Sequence, residues 1–558
     1  MQKDLQRVQS RKKTSVLTAG GATAASPSAS STPKNHPPSL FPNKNNSKPP
    51  RRTESSSSLS TAQNLGLGVA FLLVVAVLLY LSESPGIVLE DVASSLSGIT
   101  SNPNNNDVAT ISTLTQAPIK IAYAVSLIQC GDGKQNAAEG LTEAALVLRH
   151  SIHHISIHNP ESQSKYDYKL YALVHRQAES CSQPLRDAGY DIRIVDPPIQ
   201  VQDIQSDYLR KSIHKEVCCG ADEFIKLHAF ALPEPISVHV DMDFILLKPM
   251  DDLFDVILFD KNSLQGKAAR QRLSKQLDPT WYARNTTPTT SSTTSSKQSP
   301  HTLPDTIDAL WVRDWFSTFP GRHSPYQAGF IVARRKPSVV EDCANVIKTH
   351  NYTEGFGRDN GWGSKGYGGF IGARAMQGLL AYYYDVVNPG RHVELNPCRY
   401  NHQGTHFLAK KQQCKMGPLR DDQDCPDCRH TSWSDVSSIH YTSCRKPWNC
   451  VAEGIPGGRT KGAKFGNALD THSVDTDHCL QAAKIWHAHR ADLEARIRQR
   501  AAKYEIQNWG SFQHTYFLGH CADEKKYIRM KLLQDTQTQV YDDIYEADYN
   551  EPETKYLP

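Results

Sequence analysis

The sequence predicts an α/β fold built on a parallel sheet, and three observations carry that reading. Short runs rich in β-branched and apolar residues recur along the chain: "IKIAYAVSLI" (119–128), "YKLYALVH" (168–175), "DIRIVD" (191–196) and "ISVHVD" (236–241). Segments with helical spacing lie between them, the first marked by Leu141, Ala145, Leu148 and Ile152. The 558 residues are 39% hydrophobic and 22% charged, an ordinary globular balance with material for a large core.

Residues 1–63 hold ten Lys/Arg against two acids and are rich in Ser, Thr, Pro and Asn. Such a segment buries too little apolar surface to fold, so a disordered basic tail is predicted. The formal charge of the whole chain is only +4, which by itself says nothing about nucleic acid; no nucleic-acid partner is expected. Residues 64–82 contain "LGLGVAFLLVVAVLLYL" (Leu65–Leu81), seventeen residues without a charge. That is at the short end of what spans a bilayer. A buried core helix would show a polar face, and a cleaved signal peptide would start near residue 1. The expectation is therefore a retained transmembrane signal-anchor with the basic side cytoplasmic, a type II arrangement. The rest of the chain would then lie in the lumen of the Golgi or endoplasmic reticulum. All thirteen cysteines follow the anchor, as an oxidising compartment would explain. So do the glycosylation sequons at Asn285 and Asn351.

Residues 83–117 read as a stem, 118–520 as the folded domain and 521–558 as a tail. The Ser/Thr/Pro run at 283–304 reads as a disordered insertion. "ADEFIKLHAFAL" (221–232) is predicted helical, "QAGFIVARR" (327–335) a strand, and about 478–503 a helix with Trp486, Leu493, Ile497 and Ala501 on its packed face. The Gly-rich loop "GFGRDNGWGSKGYGGFIG" (355–372) carries Trp362, Tyr367 and Phe370, which suit either a sugar-binding surface or internal packing. Cys398, Cys414, Cys425 and Cys428 fit disulfides, or a four-thiolate zinc site.

The chemistry concentrates in "ISVHVDMDFILLKPMDDLFD" (236–255). Residues i and i+2 of a strand share a face, so Asp241 and Asp243 converge while Met242 turns into packing. Two convergent carboxylates repel unless a cation lies between them, and a hard divalent ion meets that need.

"DMDFILLKPMDDLFD" resembles the metal-binding strand of the family 8 glycosyltransferases, the glycogenin-like group, with its Asp-x-Asp, apolar run and DDLF-type turn. About two hundred residues later, "HYTSCRKPW" (440–448) resembles that family's H-x-x-G-x-x-K-P-W. The resemblance implies a GT-A fold with a Rossmann-like, mixed and mostly parallel sheet, Mn²⁺ held by Asp241, Asp243 and His440, and a UDP-sugar donor whose diphosphate meets Lys446. "FIKLHAF" resembles the family's TKLHCW and implies a donor contact by Lys226. "SPYQAGFIV" resembles NSGVFV, placing Gln327 at the sugar in the place of an Asn. "AMQGLL" resembles DQGLL: Gln377 is kept as the candidate catalytic residue, and Met376 replaces the Asp. Ser443 replaces the Gly of the Lys-Pro-Trp motif. "AYAVSL" (122–127) resembles the family's uridine-binding first strand. No G-x-x-x-x-G-K-[ST] phosphate loop occurs, which removes support for a kinase.

The resemblance thus implies a membrane-anchored retaining glycosyltransferase with a glycan or glycoprotein acceptor. The alternative is a catalytically inactive glycan-binding or scaffold protein on the same fold, suggested by Met376, Gln327 and Ser443.

Overall fold

A computed structural model describes residues 117–130, 138–216, 219–277, 303–315, 317–318, 322–403, 428–444, 446–449, 473–503 and Met530. The tail at 1–63, the anchor at 64–82 and nearly all of the stem at 83–117 fall outside these. So do 283–302 of the insertion and the tail at 521–558 apart from Met530. Among the described residues no helix is long and apolar enough to cross a membrane.

Seven strands form the main sheet in the order β10-β6-β7-β4-β1-β2-β3. They are β1 (Lys120–Leu127), β2 (Asp167–His175), β3 (Asp191–Val195), β4 (Ile236–Val240), β6 (Ala309–Arg313), β7 (Tyr326–Arg334) and β10 (His392–Glu394). Pairing is parallel from β3 through β4 and again between β6 and β10; β7 alone runs against its neighbours. The sheet is therefore mixed and mostly parallel: the alternation of strands and helices anticipates its parallel pairs, and the reversed β7 is what makes it mixed.

Helices cover both faces. α1 (Ala138–His154) follows β1; α2 (Asp251–Leu258) and α3 (Leu264–Gln276) follow β4; α4 (Ser338–Thr349) follows β7. α5 (Met376–Tyr382) precedes β10, and α6 (Ser473–Lys503) is the last described helix. Strand side chains alternate, so one layer packs Val125, Val240, Phe330 and Val332 under Ala144–Leu148 of α1. The other packs Trp311, Ile331 and Ala333 against Val346, Leu379 and Tyr384. On the predicted face of α6, Trp486, Leu493 and Ile497 are all buried; the side chain of Ala501 lies outside the described set.

Four readings need correction or completion. Residues Gly220–Ala231 are helical, but as a 3₁₀-helix rather than an α-helix. β4 stops at Val240, so Asp241 and Asp243 sit in a bend beyond the strand rather than on it. In the Gly-rich loop, Trp362, Tyr367 and Phe370 are buried, and Trp362 lies in a short ribbon of β8 (Tyr352–Thr353) with β9 (Gly361–Trp362). These three rings pack the core and offer no sugar-binding surface. Leu303, assigned to the insertion, is buried in the core.

Disulfides join Cys130 to Cys181, Cys398 to Cys428 and Cys444 to Cys479. The first of the two cysteine options therefore holds for Cys398 and Cys428; Cys414 and Cys425 lie outside the described residues.

Candidate functional site

β1 pairs with β2 on one side and with β4 on the other, so the strand order reverses between β1 and β4. In open α/β sheets, ligands bind beyond the carboxyl ends of strands at such a switch point. Asp241 and Asp243 follow the end of β4 there. Their convergence survives the end of the strand because backbone bonds pin the bend. Asp241 N–H donates to Gly329 of β7 (3.1 Å), Tyr441 N–H donates to the Asp243 carbonyl (2.9 Å), and Met242 is buried between the two acids.

His440 arrives from far along the chain. β5 (Phe244–Leu246), directly after the acids, pairs antiparallel with β11 (Ser438–His440), and Phe244 stands opposite His440. That register brings the imidazole to the carboxylates: His440 Nε2 lies 3.3 Å from Asp243 Oδ1 and 3.8 Å from Asp241 Oδ2. Ligand atoms of all three residues fall within 4.8 Å of one another. Asn401, in the left-handed region at φ 57°, places its Oδ1 2.8 Å from His440 Nδ1. With that amide oxygen as acceptor, the ring proton is on Nδ1 and the Nε2 lone pair faces two carboxylate oxygens. Three acceptors converging on one point are the donor set of a metal centre, so the residues present fit a divalent ion.

Two ammonium groups flank the acids. Lys446 donates to Asp243 Oδ2 and to the Tyr441 carbonyl (3.0 Å). Lys226, nearly buried, donates to Asp241 Oδ1 (2.9 Å) and Glu223 Oε1 (3.1 Å). In a 3₁₀-helix residues three apart eclipse, which stacks Glu223 under Lys226. Burial alone would raise the Asp243 carboxyl, but Lys446 and then His440 outweigh it and hold it far below the usual carboxylate range. Burial and the repulsion of Asp243 would raise Asp241, but Lys226, joined by His440 and His239, holds it below its ordinary value. Burial would lower Lys226, and its two carboxylate partners reverse that. Both acids are thus ionised. Three carboxylates against two ammonium groups leave the cluster net negative before His440 is counted.

The remaining predicted residues divide. Gln327 is buried beside the acids and accepts the Gly329 N–H through Oε1 (2.6 Å). Gln377 is not bonded to the cluster. Its amide donates to the Ile371 carbonyl (3.0 Å), and only the adjacent Met376, through its N–H to Glu223 Oε2 (3.4 Å), joins the network. Ser443 is buried with its Oγ 3.4 Å from Gln403 Oε1.

Four residues were not singled out from the sequence. Glu223 was signalled by its helical spacing to Lys226. His239 lies two residues before Asp241 in "VHVDMD", and its Nε2 meets Ser126 Oγ at the end of β1 (2.8 Å). Burial, with Lys226 nearby, brings the His239 pKa down to about 3. Gly329 was signalled only as a glycine inside a strand. A Cβ there would stand 2.5 Å from His440 Cε1 and 2.6 Å from Asp241 Oδ2. Nothing local marks Asn401.

No protein-family model matches the sequence, and no curated protein matches it. Among solved structures, the chain is similar to mouse xyloside xylosyltransferase 1 at 12% identity and TM-score 0.28, over 59% of this chain and 100% of that one. It is similar to the galactosyltransferase LgtC at 12% identity and TM-score 0.27, over 59% and 89%. It is similar to the bifunctional glycosyltransferase WbbM at 12% and 0.28, over 60% of this chain but only 48% of WbbM. Scores of this size carry no weight for activity, which has to be read from the site itself.

Proposed function

We propose that the site is the donor site of a retaining glycosyltransferase of GT-A type. It moves a hexose or uronic acid from a UDP-sugar to a glycan or glycoprotein acceptor, with Mn²⁺ held by Asp241, Asp243 and His440. One observation carries this reading. Two ionised carboxylates and an imidazole lone pair converge within 4.8 Å, flanked by two ammonium groups, at the switch point of the sheet. The motif resemblance in "DMDFILLKPMDDLFD" and "HYTSCRKPW" points the same way.

When bound, the ion supplies Lewis-acid stabilisation to the departing diphosphate. The chain's own groups supply the rest. Lys446 and Lys226 are preorganised cations beside the acids, placed to meet the negative charge that grows on the leaving group. Gln377 contributes an amide rather than a charge, and the adjacent Met376 is fully buried and apolar. Neither can form a covalent glycosyl carboxylate, so the reading favours front-face attack, with the acceptor entering on the side the diphosphate leaves. The intact set of acids, His440 and Lys446 favours an enzyme over an inactive scaffold. We place the domain in the secretory lumen behind a type II anchor at 64–82. The uncharged run Leu65–Leu81 and the disulfides Cys130–Cys181, Cys398–Cys428 and Cys444–Cys479 support that.

The test is UDP release by the full chain from a panel of UDP-sugars with and without Mn²⁺. Release that needs Mn²⁺, and falls about a thousandfold in Asp243→Ala, is the expected result. No turnover with any donor contradicts the proposal.

A further inference from the structure

A second cluster of ligand-type side chains lies where α6 crosses α1, built from elements that contribute nothing to the acid pair. His150 and His154 are four residues apart on α1 and so share a helix face. Their Nε2 atoms are 3.1 Å apart. Asp492 of α6 sets Oδ2 2.8 Å from His150 Nε2 and 3.2 Å from His154 Nε2. A tetrahedral shell with metal–ligand bonds of about 2.0–2.1 Å spaces its ligand atoms about 3.3 Å apart. The three observed separations are close to that spacing.

Hydrogen bonding accounts for the trio less well. Asp492 Oδ2 faces both imidazole nitrogens and also accepts from Arg496 Nε (3.0 Å). If both rings donate to it, two N–H groups confront each other at 3.1 Å. If one ring instead accepts from the other, its lone pair faces the carboxylate. A cation at the centre of the three atoms removes the conflict. His150 is fully buried, whereas the side chains of His154 and Asp492 are 25% and 32% exposed, which leaves a path from solvent.

We propose that His150, His154 and Asp492 bind a divalent transition-metal ion of the zinc type. Two imidazoles and one carboxylate suit zinc-like ions, whereas the oxygen-rich set at Asp241 and Asp243 suits manganese. The ion clamps α6 onto α1 at the joint that the buried Arg490–Glu143 pair also crosses (2.6 Å). From there the connection to the donor site is short. Ser151 of α1 accepts from Leu246 N–H of β5 (3.2 Å), and β5 pairs with the strand that carries His440. The ion thereby supports the half of the donor site that the second motif supplies, and its fourth position is left to solvent.

The test uses the full chain, stripped with a chelator, dialysed and titrated with Zn²⁺ alone and Co²⁺ alone, in wild type and in Asp243→Ala. Asp243→Ala is expected to retain one zinc per chain and wild type at least one, and both to develop the visible absorption of tetrahedral cobalt, with a higher Tm when zinc is present. His154→Gln is expected to weaken zinc binding at least about a hundredfold, since loss even of an outer partner costs 10–100-fold. Asp492→Asn, which keeps the side-chain shape, is expected to lose the cobalt spectrum, and it serves if His154→Gln does not fold. No zinc retained by Asp243→Ala, or unchanged zinc affinity when His154→Gln or Asp492→Asn is added to Asp243→Ala and the chain still folds, overturns the proposal. None of these readouts depends on sugar transfer.

Discussion

Gly329 is where β7 comes nearest to the acids, and the absence of a side chain there is what lets His440 and Asp241 approach each other. A Cβ would fall inside contact distance of both. Gly329→Ala is therefore expected to leave the fold intact while weakening Mn²⁺ binding and turnover about 10–100-fold, the usual cost of disturbing groups that orient ligands. Parallel Mn²⁺ titration and UDP-release assays check this; unchanged affinity would mean that the cluster tolerates being spread. Asp241, Asp243, His440 and Lys446 were legible in the sequence because each belongs to a compact motif. Asn401 and Gly329 were not. Each acts on a motif residue from a distant part of the chain, and no local pattern records a contact made across 39 or 88 residues. Gln377 was legible as a motif position, but its hydrogen bond runs to Ile371 rather than to the acids.

The pairing of β5 with β11 turns two separate motifs into one site, and α6 holds β11 and its continuation in place. Cys444 is joined to Cys479, Tyr441 donates to the Ala482 carbonyl (2.7 Å), and the rings of Trp448 and Trp486 are 6.2 Å apart. Replacing Cys444 and Cys479 by Ser opens a loop spanning 35 residues, which costs about 3–4 kcal/mol of stability. Since Lys446 and His440 flank Cys444, the same change is expected to weaken Mn²⁺ binding, whereas Cys130→Ser with Cys181→Ser is not. Thermal melts and Mn²⁺ titration of the two double variants check both halves. Strands were the most legible elements, because period-two alternation and β-branched residues act locally. The helical reading of 221–232 was right, but its 3₁₀ geometry was not legible, because periodicity does not resolve the choice of hydrogen-bond partner. The aromatic loop was ambiguous for a different reason: large rings serve a core and a sugar surface equally well, and only burial decides between them.

Across the whole molecule, the sheet order sets the site. β1 and β4 part company at the switch point, β7 runs back against β4 to bring Gly329 beside Asp241, and β5 with β11 forms a small outlying ribbon beyond the main sheet. The alternation of strands and helices made the α/β class legible. The reversed direction of β7 was not, since an isolated strand carries no mark of its direction. The central claim is that Asp241, Asp243 and His440 hold one ion that a nucleotide diphosphate shares. Electron paramagnetic resonance of Mn²⁺ mixed with the full chain tests it directly, because bound Mn²⁺ loses the signal of the free ion. The account predicts one Mn²⁺ per chain, bound more tightly when UDP is present, and loss of that binding in Asp241→Asn, Asp243→Asn and His440→Gln. Mn²⁺ binding that survives all three substitutions, or that UDP leaves unchanged in the wild type, would contradict it.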